Sequence, residues 1–372
     1  MAEGQTVSDA ELIELADEHL KEDRLLQAAR ALRRVEDQSV LSEKQQWALS
    51  KAAEVETIVE DLGVEPGPEW SKHGENHGRF DTIVYYKVVE SRLTARLETP
   101  IDPELLVPLI SVLNETELYT TWLPRWEMPI KLGVRNVTKL REEGRCNQRM
   151  KAVTDLPWPV LPRECLIDTV AVDDIDENGV IVVRMMTPSP DQKDVPSEPE
   201  EGCVRIDFEG GFLFRKCPKD HPAFLKSKNK NNKDDNPDKD LLLCNIKVFV
   251  DGKVKFVPLS LVNFVTRTVL GRMWGQTLAI AEDVRVGKRE QHAAIIEQRR
   301  EEVYDWVAER CHVMLRGFDK GNDNDEKADT QEAEQPKDPA PKNADDNDTK
   351  ETTTKPGDAT DLGEEAAQKT GS

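Results

Sequence analysis

The chain lacks most signatures that would name a chemistry. Its six cysteines (Cys146, Cys165, Cys203, Cys217, Cys244, Cys311) form no C-x-x-C pair and no zinc-like spacing, so neither a disulfide framework nor a zinc site is written in the sequence. There is no Gly-x-Ser-x-Gly elbow, no phosphate-cradling glycine loop and no dinucleotide fingerprint. No apolar run approaches the roughly 20 residues that span a bilayer. The first twenty residues are polar and acidic, unlike a signal peptide, and Ala2 stands where myristoylation needs glycine. Positive charge is also short. A net charge of −21 and a pI near 4.9 exclude the basic footprint of a general nucleic-acid binder. They also exclude plain electrostatic docking on anionic membranes unless a local patch reverses the sign. The expectation is a reduced, cytoplasmic protein with no metal and no cofactor.

What is present falls into three regions. Residues 1–68 are helical in pattern. Ser8-Asp9-Ala10-Glu11 and Ser42-Glu43-Lys44-Gln45 both have the capping-box form. Apolar stripes follow at Leu12, Leu15, Ala16 and Leu20, at Leu25, Ala28, Ala29, Leu32 and Val35, and at Trp47, Val55, Ile58 and Leu62. The pattern, Ala28-Ala29-Arg30-Ala31-Leu32 especially, resembles a single tetratricopeptide-type hairpin, but a lone repeat cannot bury its own face. The segment reads as a helical cap, or as a docking element for a protein partner. Residues 317–372 carry, from Phe318 on, 16 acidic and 7 basic residues, with only Phe318 and Leu362 large and apolar. Such a segment cannot offset its chain entropy by burial, so a disordered acidic tail is expected.

Residues 69–316 carry the argument. A long strand is expected over 83–97, then a helix with Pro103 in its first turn and a stripe of Leu105, Leu106, Leu109, Ile110 and Leu113. Strands follow over Lys131–Leu140, Arg145–Val153, Cys165–Val172, Val180–Met186, Val204–Phe214 and Leu242–Val250. After Pro258, Leu261, Val265, Val269 and Met273 step at helical spacing, with Val262, Phe264 and Trp274 nearby. The Gly287 region reads as a break, before a second helix with Ile295, Ile296, Val303, Trp306 and Val307. This order is α+β. Two inserts interrupt it: residues 187–202, acidic and proline-rich, and residues 219–240, rich in lysine and asparagine. Loops of this length are functional or disordered. Phe224 and Leu225, ahead of Lys226, Lys228 and Lys230, are candidates for transient membrane contact. His73 and His77 have the spacing of a helical metal pair but no third ligand, and are read as a linker.

Three motifs sharpen the picture. Tyr119-Thr120-Thr121-Trp122-Leu123-Pro124-Arg125-Trp126, Pro157-Trp158-Pro159-Val160-Leu161-Pro162-Arg163-Glu164 and Pro258-Leu259-Ser260-Leu261-Val262-Asn263-Phe264 occur in that order. They resemble segments of the START domain family, named after the steroidogenic acute regulatory protein. The likeness covers residues 70–290 and departs at Glu164, where the family usually has Asp.

The resemblance implies a helix-grip fold, a curved antiparallel sheet around a long C-terminal helix, with a small N-terminal helical extension and a disordered acidic tail. It implies one lipid in a hydrophobic tunnel, for non-vesicular transfer or sensing. Desolvating a sixteen-carbon chain is worth roughly 12 kcal/mol, so a carrier must supply a comparable apolar sleeve. The candidate lipid-binding residues are Leu261, Val262, Val265, Val269, Met273, Trp122, Met150, Arg163 and Thr169. Sterol-binding relatives carry a buried acid and a buried arginine at set offsets from the turn; counting from Glu164 reaches Met150 and Thr169 instead, with Arg149 and Asp168 one residue away. Arg163 and Glu164 are either a pair fixing the turn or a head-group contact. No acid–base constellation suggests an enzyme. Two alternatives stay open: a START-like scaffold without ligand, and a helix-grip hydrolase or cyclase.

Overall fold

Local sequence rules account for the first elements. α1 (Asp9–Lys21), α2 (Leu25–Leu32) and α3 (Glu43–Gly63) follow one another. Ser8 and Ser42 each close a capping box, their hydroxyls accepting from the backbone N–H of Glu11 and Gln45, whose side chains accept in return from the cap N–H. The computed structural model describes residues 7–77, 81–89, 92–126, 131–145, 147–156, 158–192, 194–224, 240–251, 253 and 270–317.

Ten strands form a single sheet: β1 (Ser71–His77), β2 (Asp81–Val89), β3 (Arg92–Ile101), β4 (Arg125–Trp126), β5 (Leu132–Glu143), β6 (Asn147–Asp155), β7 (Arg163–Asp174), β8 (Val180–Met186), β9 (Val204–Lys216) and β10 (Leu242–Asp251). Their order is β1-β2-β3-β10-β9-β8-β7-β6-β5-β4, antiparallel throughout except where β7 and β9 meet in parallel beyond the short β8. The six strands expected from Lys131 to Val250 are all present, within a few residues at each end.

Two expectations are corrected. The single strand over 83–97 is a hairpin, with Ile83 opposite Glu98 and Lys87 opposite Thr94. Both arms alternate with period two, so the periodicity alone does not register the reversal. The His73–His77 segment is an edge strand rather than a linker, with His77 paired to Asp81. Residues four apart in a strand are about 13 Å apart, which removes the spacing of a helical metal pair.

Helices cover both faces. On the inner face lie α4 (Leu106–Asn114), α6 (Gly271–Arg285), α7 (Glu290–Gln298), a π-helical turn (Arg300–Tyr304) and α8 (Asp305–Gly317). They share one apolar cluster with Leu97, Ile181, Phe214 and Ile246. Gly287, at φ +75°, turns the chain between α6 and α7. The one second helix expected there is therefore α7, the π turn and α8 in succession.

On the outer face, α1–α3 bury Leu26, Leu32, Val55 and Ile58 against Val170, Val182 and Leu213. Each such side chain contributes about 1.5–3 kcal/mol. The strand alternation sorts neighbours cleanly: Phe212 and Phe214 face inward, Leu213 outward.

The C-terminal carbonyls of α3 are held by side chains from the sheet. Arg96 donates to the oxygens of Asp61 (2.8 Å) and Val64 (2.7 Å), Arg215 to that of Gly63 (3.0 Å), and Asn245 to that of Leu62 (2.8 Å). These are the orphan acceptors of a helix end, where cations are favoured. A one-turn helix, α5 (Ile175–Asn178), ties the layers together. Arg24 and Arg30 from the N-terminal helices and Arg310 from α8 pair with the acids of its Asp173–Glu177 stretch.

Candidate functional site

The inner face of β6–β9 and the overlying helices enclose a cavity of about 100 Å³. Its floor comes from alternate strand positions: Gln148 and Met150 on β6, Thr169 and Ala171 on β7, Ile181, Val183 and Met185 on β8, and Phe212 on β9. Its roof comes from Ile110 and Leu113 on α4, Val303 on the π turn, and Trp306 and Val307 on α8. The walls are overwhelmingly apolar. A closed space of this size holds several waters.

The polar groups in the wall are few and grouped. Gln148 and Thr169 lie directly opposite each other across the β6–β7 pair. The amide N–H of Gln148 donates to the backbone oxygen and side-chain oxygen of Asn114 (3.2 and 3.3 Å), which fixes the orientation of its carboxamide. Gln148 Oε1 and Thr169 Oγ1 are both buried and have no hydrogen-bond partner among the described residues. At the rim, the half-buried Arg145 lies 5.3 Å over the Trp306 ring and reaches Asp23 and the Glu22 carbonyl of the α1–α2 turn. Tyr119 donates to the Leu113 carbonyl (2.5 Å) and meets Trp122 edge-on at 5.5 Å.

A buried polar network fixes the roof. Glu115, at the end of α4, accepts from Tyr304 Oη (2.6 Å) and Arg299 (3.3 Å). Ser111 lies 3.0 Å from His292 Nδ1. Burial, assisted by nearby Arg289, pushes the His292 imidazole down to about 4, so it is neutral at physiological pH. Val303, which faces the cavity, is held beside Tyr304 by these bonds. Single π-helical turns of this kind are common at functional sites.

The structure disperses the sequence-derived candidates. Met150 and Thr169 are in the cavity wall. Trp122 packs on the inner-face cluster beside it, its buried indole N–H without a partner among the described residues. Met273 is half-buried on α6 and does not line the cavity. Leu261, Val262, Val265 and Val269 lie outside the described residues, as does Leu225. Phe224 is corrected from surface anchor to core: it is 2% exposed and packs with Cys217 and Leu243.

The charged pairings also differ from the sequence reading. Arg163 and Glu164 are neighbours on a strand, so they point to opposite faces and do not pair. Arg163 donates to the Leu161 carbonyl (2.6 Å), and Glu164 accepts from Arg205 (2.7 Å) and the Glu200 N–H (2.8 Å). Arg149 and Asp168 do form a buried pair, with a second bond at 2.9 Å. They occupy the face opposite Gln148 and Thr169, joined by Gln192 from the 187–202 insert. That insert is tied to the sheet through Gln192, Glu200 and the carbonyls of Pro196 and Glu198. Sequence reasoning missed Gln148, Arg145 and Trp306 as site residues. Gln148 was within reach, two positions before Met150 on one strand face.

The described cysteines are unpaired. Burial pushes Cys165 and Cys217 up to about 12 and Cys311 up to about 11, away from the thiolate that a nucleophile requires. Among the described residues, no helix is long and apolar enough to cross a membrane.

The fold and cavity define an α+β protein with a large antiparallel sheet, helices on both faces and an apolar cavity beneath the inner helices. No protein-family model and no curated relative matches the chain. It is similar to the solved structure of human STARD10, at 11% identity, covering 72% of this chain and 87% of that one, with a TM-score of 0.43. It is also similar to human StAR-related lipid transfer protein 5 (12% identity, 65% and 99% covered, TM-score 0.46). A third similar structure is a STAR-related lipid transfer protein from Xanthomonas axonopodis (17% identity, 58% and 99% covered, TM-score 0.37).

Proposed function

We propose that this chain binds a single lipid between the inner sheet face and its helical roof, for non-vesicular lipid transfer or lipid sensing. The carrying observation is the cavity itself, mostly apolar, with two buried and unpartnered polar atoms of its lining together on β6–β7 among the described residues. This is the division expected of a site for an amphiphile. In this reading the helices after β10 grip the sheet, and the roof of α4, the π turn and α8 lifts to admit a chain larger than the closed volume. The protein works without turnover, in a reduced cytoplasmic setting. The buried thiols, pushed up away from the thiolate form, make poor nucleophiles.

Loading requires membrane contact, and the 158–162 loop is the part suited to it. Trp158 is 92% exposed and Leu161 54%, with Val160 beside them. An exposed indole flanked by aliphatics suits the bilayer interface. Arg125, Lys131 and Arg135 gather around Asp155 at the base of this loop, three cations against the two carboxylates of Asp155 and Glu200, a less acidic spot than the chain as a whole.

The small closed volume favours a second reading, a ligand-free scaffold that meets protein partners through its N-terminal helices and acidic tail. Native mass spectrometry of protein purified from eukaryotic cells separates the two. A stoichiometric lipid, absent from Val183→Trp, supports the carrier. Protein that arrives empty and takes up nothing from mixed liposomes sinks it.

A further inference from the structure

We infer that the ligand of this cavity is a neutral amphiphile whose polar end is a hydroxyl, held between Gln148 and Thr169. The inference rests on the lipid-binding reading above and adds the chemical class of the head.

The argument starts from two orphan atoms. Gln148 is 6% exposed and its Oε1 has no partner among the described residues; nor has Thr169 Oγ1 directly opposite. Side chains opposed in this way have Cβ atoms about 5 Å apart, so one small group can touch both. Gln148 cannot relieve the deficit by flipping, since its N–H group already donates to two acceptors of Asn114. Its Oε1 therefore requires a donor. The Thr169 hydroxyl has no acceptor and can donate. A group that gives one hydrogen bond and receives one completes both, and an alcohol O–H does so. An ether, an ester, a carboxylate or a phosphodiester only accepts: it would satisfy Thr169 and leave the Gln148 oxygen buried and unpaired, which is costly. The nearest cation in the wall, Arg145, is engaged with Trp306 and Asp23. It stands at the rim, away from a buried anionic head.

The test uses two isomers of equal size and near-equal apolar area, 1-undecanol and 1-methoxydecane. The first donates and accepts; the second only accepts. Each displaces 8-anilinonaphthalene-1-sulfonate from the full chain in a fluorescence titration. Wild-type protein is expected to bind the alcohol about tenfold more tightly or better. Gln148→Met is expected to shrink that preference below about threefold, because it removes the oxygen that needs a donor and so improves the ether's binding, whereas Thr169→Val is expected to weaken both isomers and keep the preference. Circular dichroism melts establish that both variants fold. Equal affinity in the wild type means that water already satisfies the two oxygens, and overturns the inference. A preference that survives Gln148→Met, one that survives Val183→Trp, or affinities that Thr169→Val leaves unchanged place recognition elsewhere and overturn it too. If neither isomer binds, the cavity reading itself fails, a result distinct from equal binding.

Discussion

The two faces of the sheet are built on opposite principles. The outer face holds α3 by charge and hydrogen bonds: Arg96, Arg215 and Asn245 reach the helix end, Lys247 pairs with Asp61 and Glu209, and Arg184 pairs with Glu54. Such contacts are directional, and a small displacement breaks them. The inner face holds its helices chiefly by apolar packing around an unfilled space, with scattered polar anchors such as Glu115 to Tyr304, Ser111 to His292 and Trp274 to Thr99. Apolar contacts slide and re-form with little loss. One face is thus held by directional bonds and the other by packing, and in the reading proposed above it is the packed face that yields to a ligand.

The largest break of this contrast is Arg96→Leu. It takes from Glu98, 3% exposed, its arginine, leaving His221 beside the carboxylate, and uncaps α3. Removing one partner of a buried ion pair costs about 3–5 kcal/mol, so thermal unfolding should shift down by many degrees. Any lipid that remains bound at low temperature should be unchanged in kind, because the cavity lies on the other face. A change in lipid class would show that the faces are not independent.

Next comes Val183→Trp on the inner face. Overfilling costs about 1–3 kcal/mol, less than the outer-face change, yet it should abolish lipid uptake from liposomes. A variant that still takes up lipid would show that the roof accommodates by moving further than one indole, or that the ligand sits elsewhere.

The roof should also be sensitive to acid. His292 titrates at about 4 in the folded chain and near 6.5 when unfolded. The unfolded state therefore binds the extra proton between these values, and stability present in full above pH 6.5 is lost as pH falls toward 4. The loss amounts to roughly 2–3 kcal/mol across the window. Melting temperature measured from pH 7 to pH 5 should fall in the wild type and fall less in His292→Asn. Parallel slopes would remove His292 as the cause.

How much of this could be read from the sequence follows the same division. Strands β5–β10 were legible as short apolar or alternating runs between turn residues; Val180–Met186 is apolar at successive positions because helices cover both of its faces. The starts of α1 and α3 were legible because capping is local. β1 was not: Ser71-Lys72-His73-Gly74-Glu75-Asn76-His77 has no apolar alternation, and only its pairing with β2 makes it a strand. In the site, Met150 and Thr169 were reached by counting from Glu164. Arg145 and Trp306 could not be paired, because they meet only after α8 folds back over the sheet. Phe224 was misread for a related reason: its lysine-rich surroundings describe a surface, while the chain folds it back on Leu243. Local rules and strand periodicity are written in short windows; the cavity is a product of long-range closure.

The smallest effect on stability should come from the most exposed large apolar side chain among the described residues. Trp158 gives up almost nothing on substitution in solution, since 92% of it already meets water; Trp158→Ser should leave the melting temperature within the range of about 0.5 kcal/mol typical of surface changes. At a membrane the same side chain has a great deal to gain. Burying an indole at the interface, with cations beside it worth about 1 kcal/mol each near an anionic surface, should make binding to phosphatidylserine-containing vesicles about tenfold weaker in the variant. Binding of the wild type should fall as salt is raised through 0.5 M, because the basic side chains act within a Debye length. Co-sedimentation with vesicles at low and high salt reads both effects. Equal sedimentation of wild type and variant would remove the 158–162 loop from the membrane face. Loss confined to the variant, with lipid already in the cavity retained, would separate docking from holding: the loop brings the protein to the bilayer, and the yielding inner face takes the lipid.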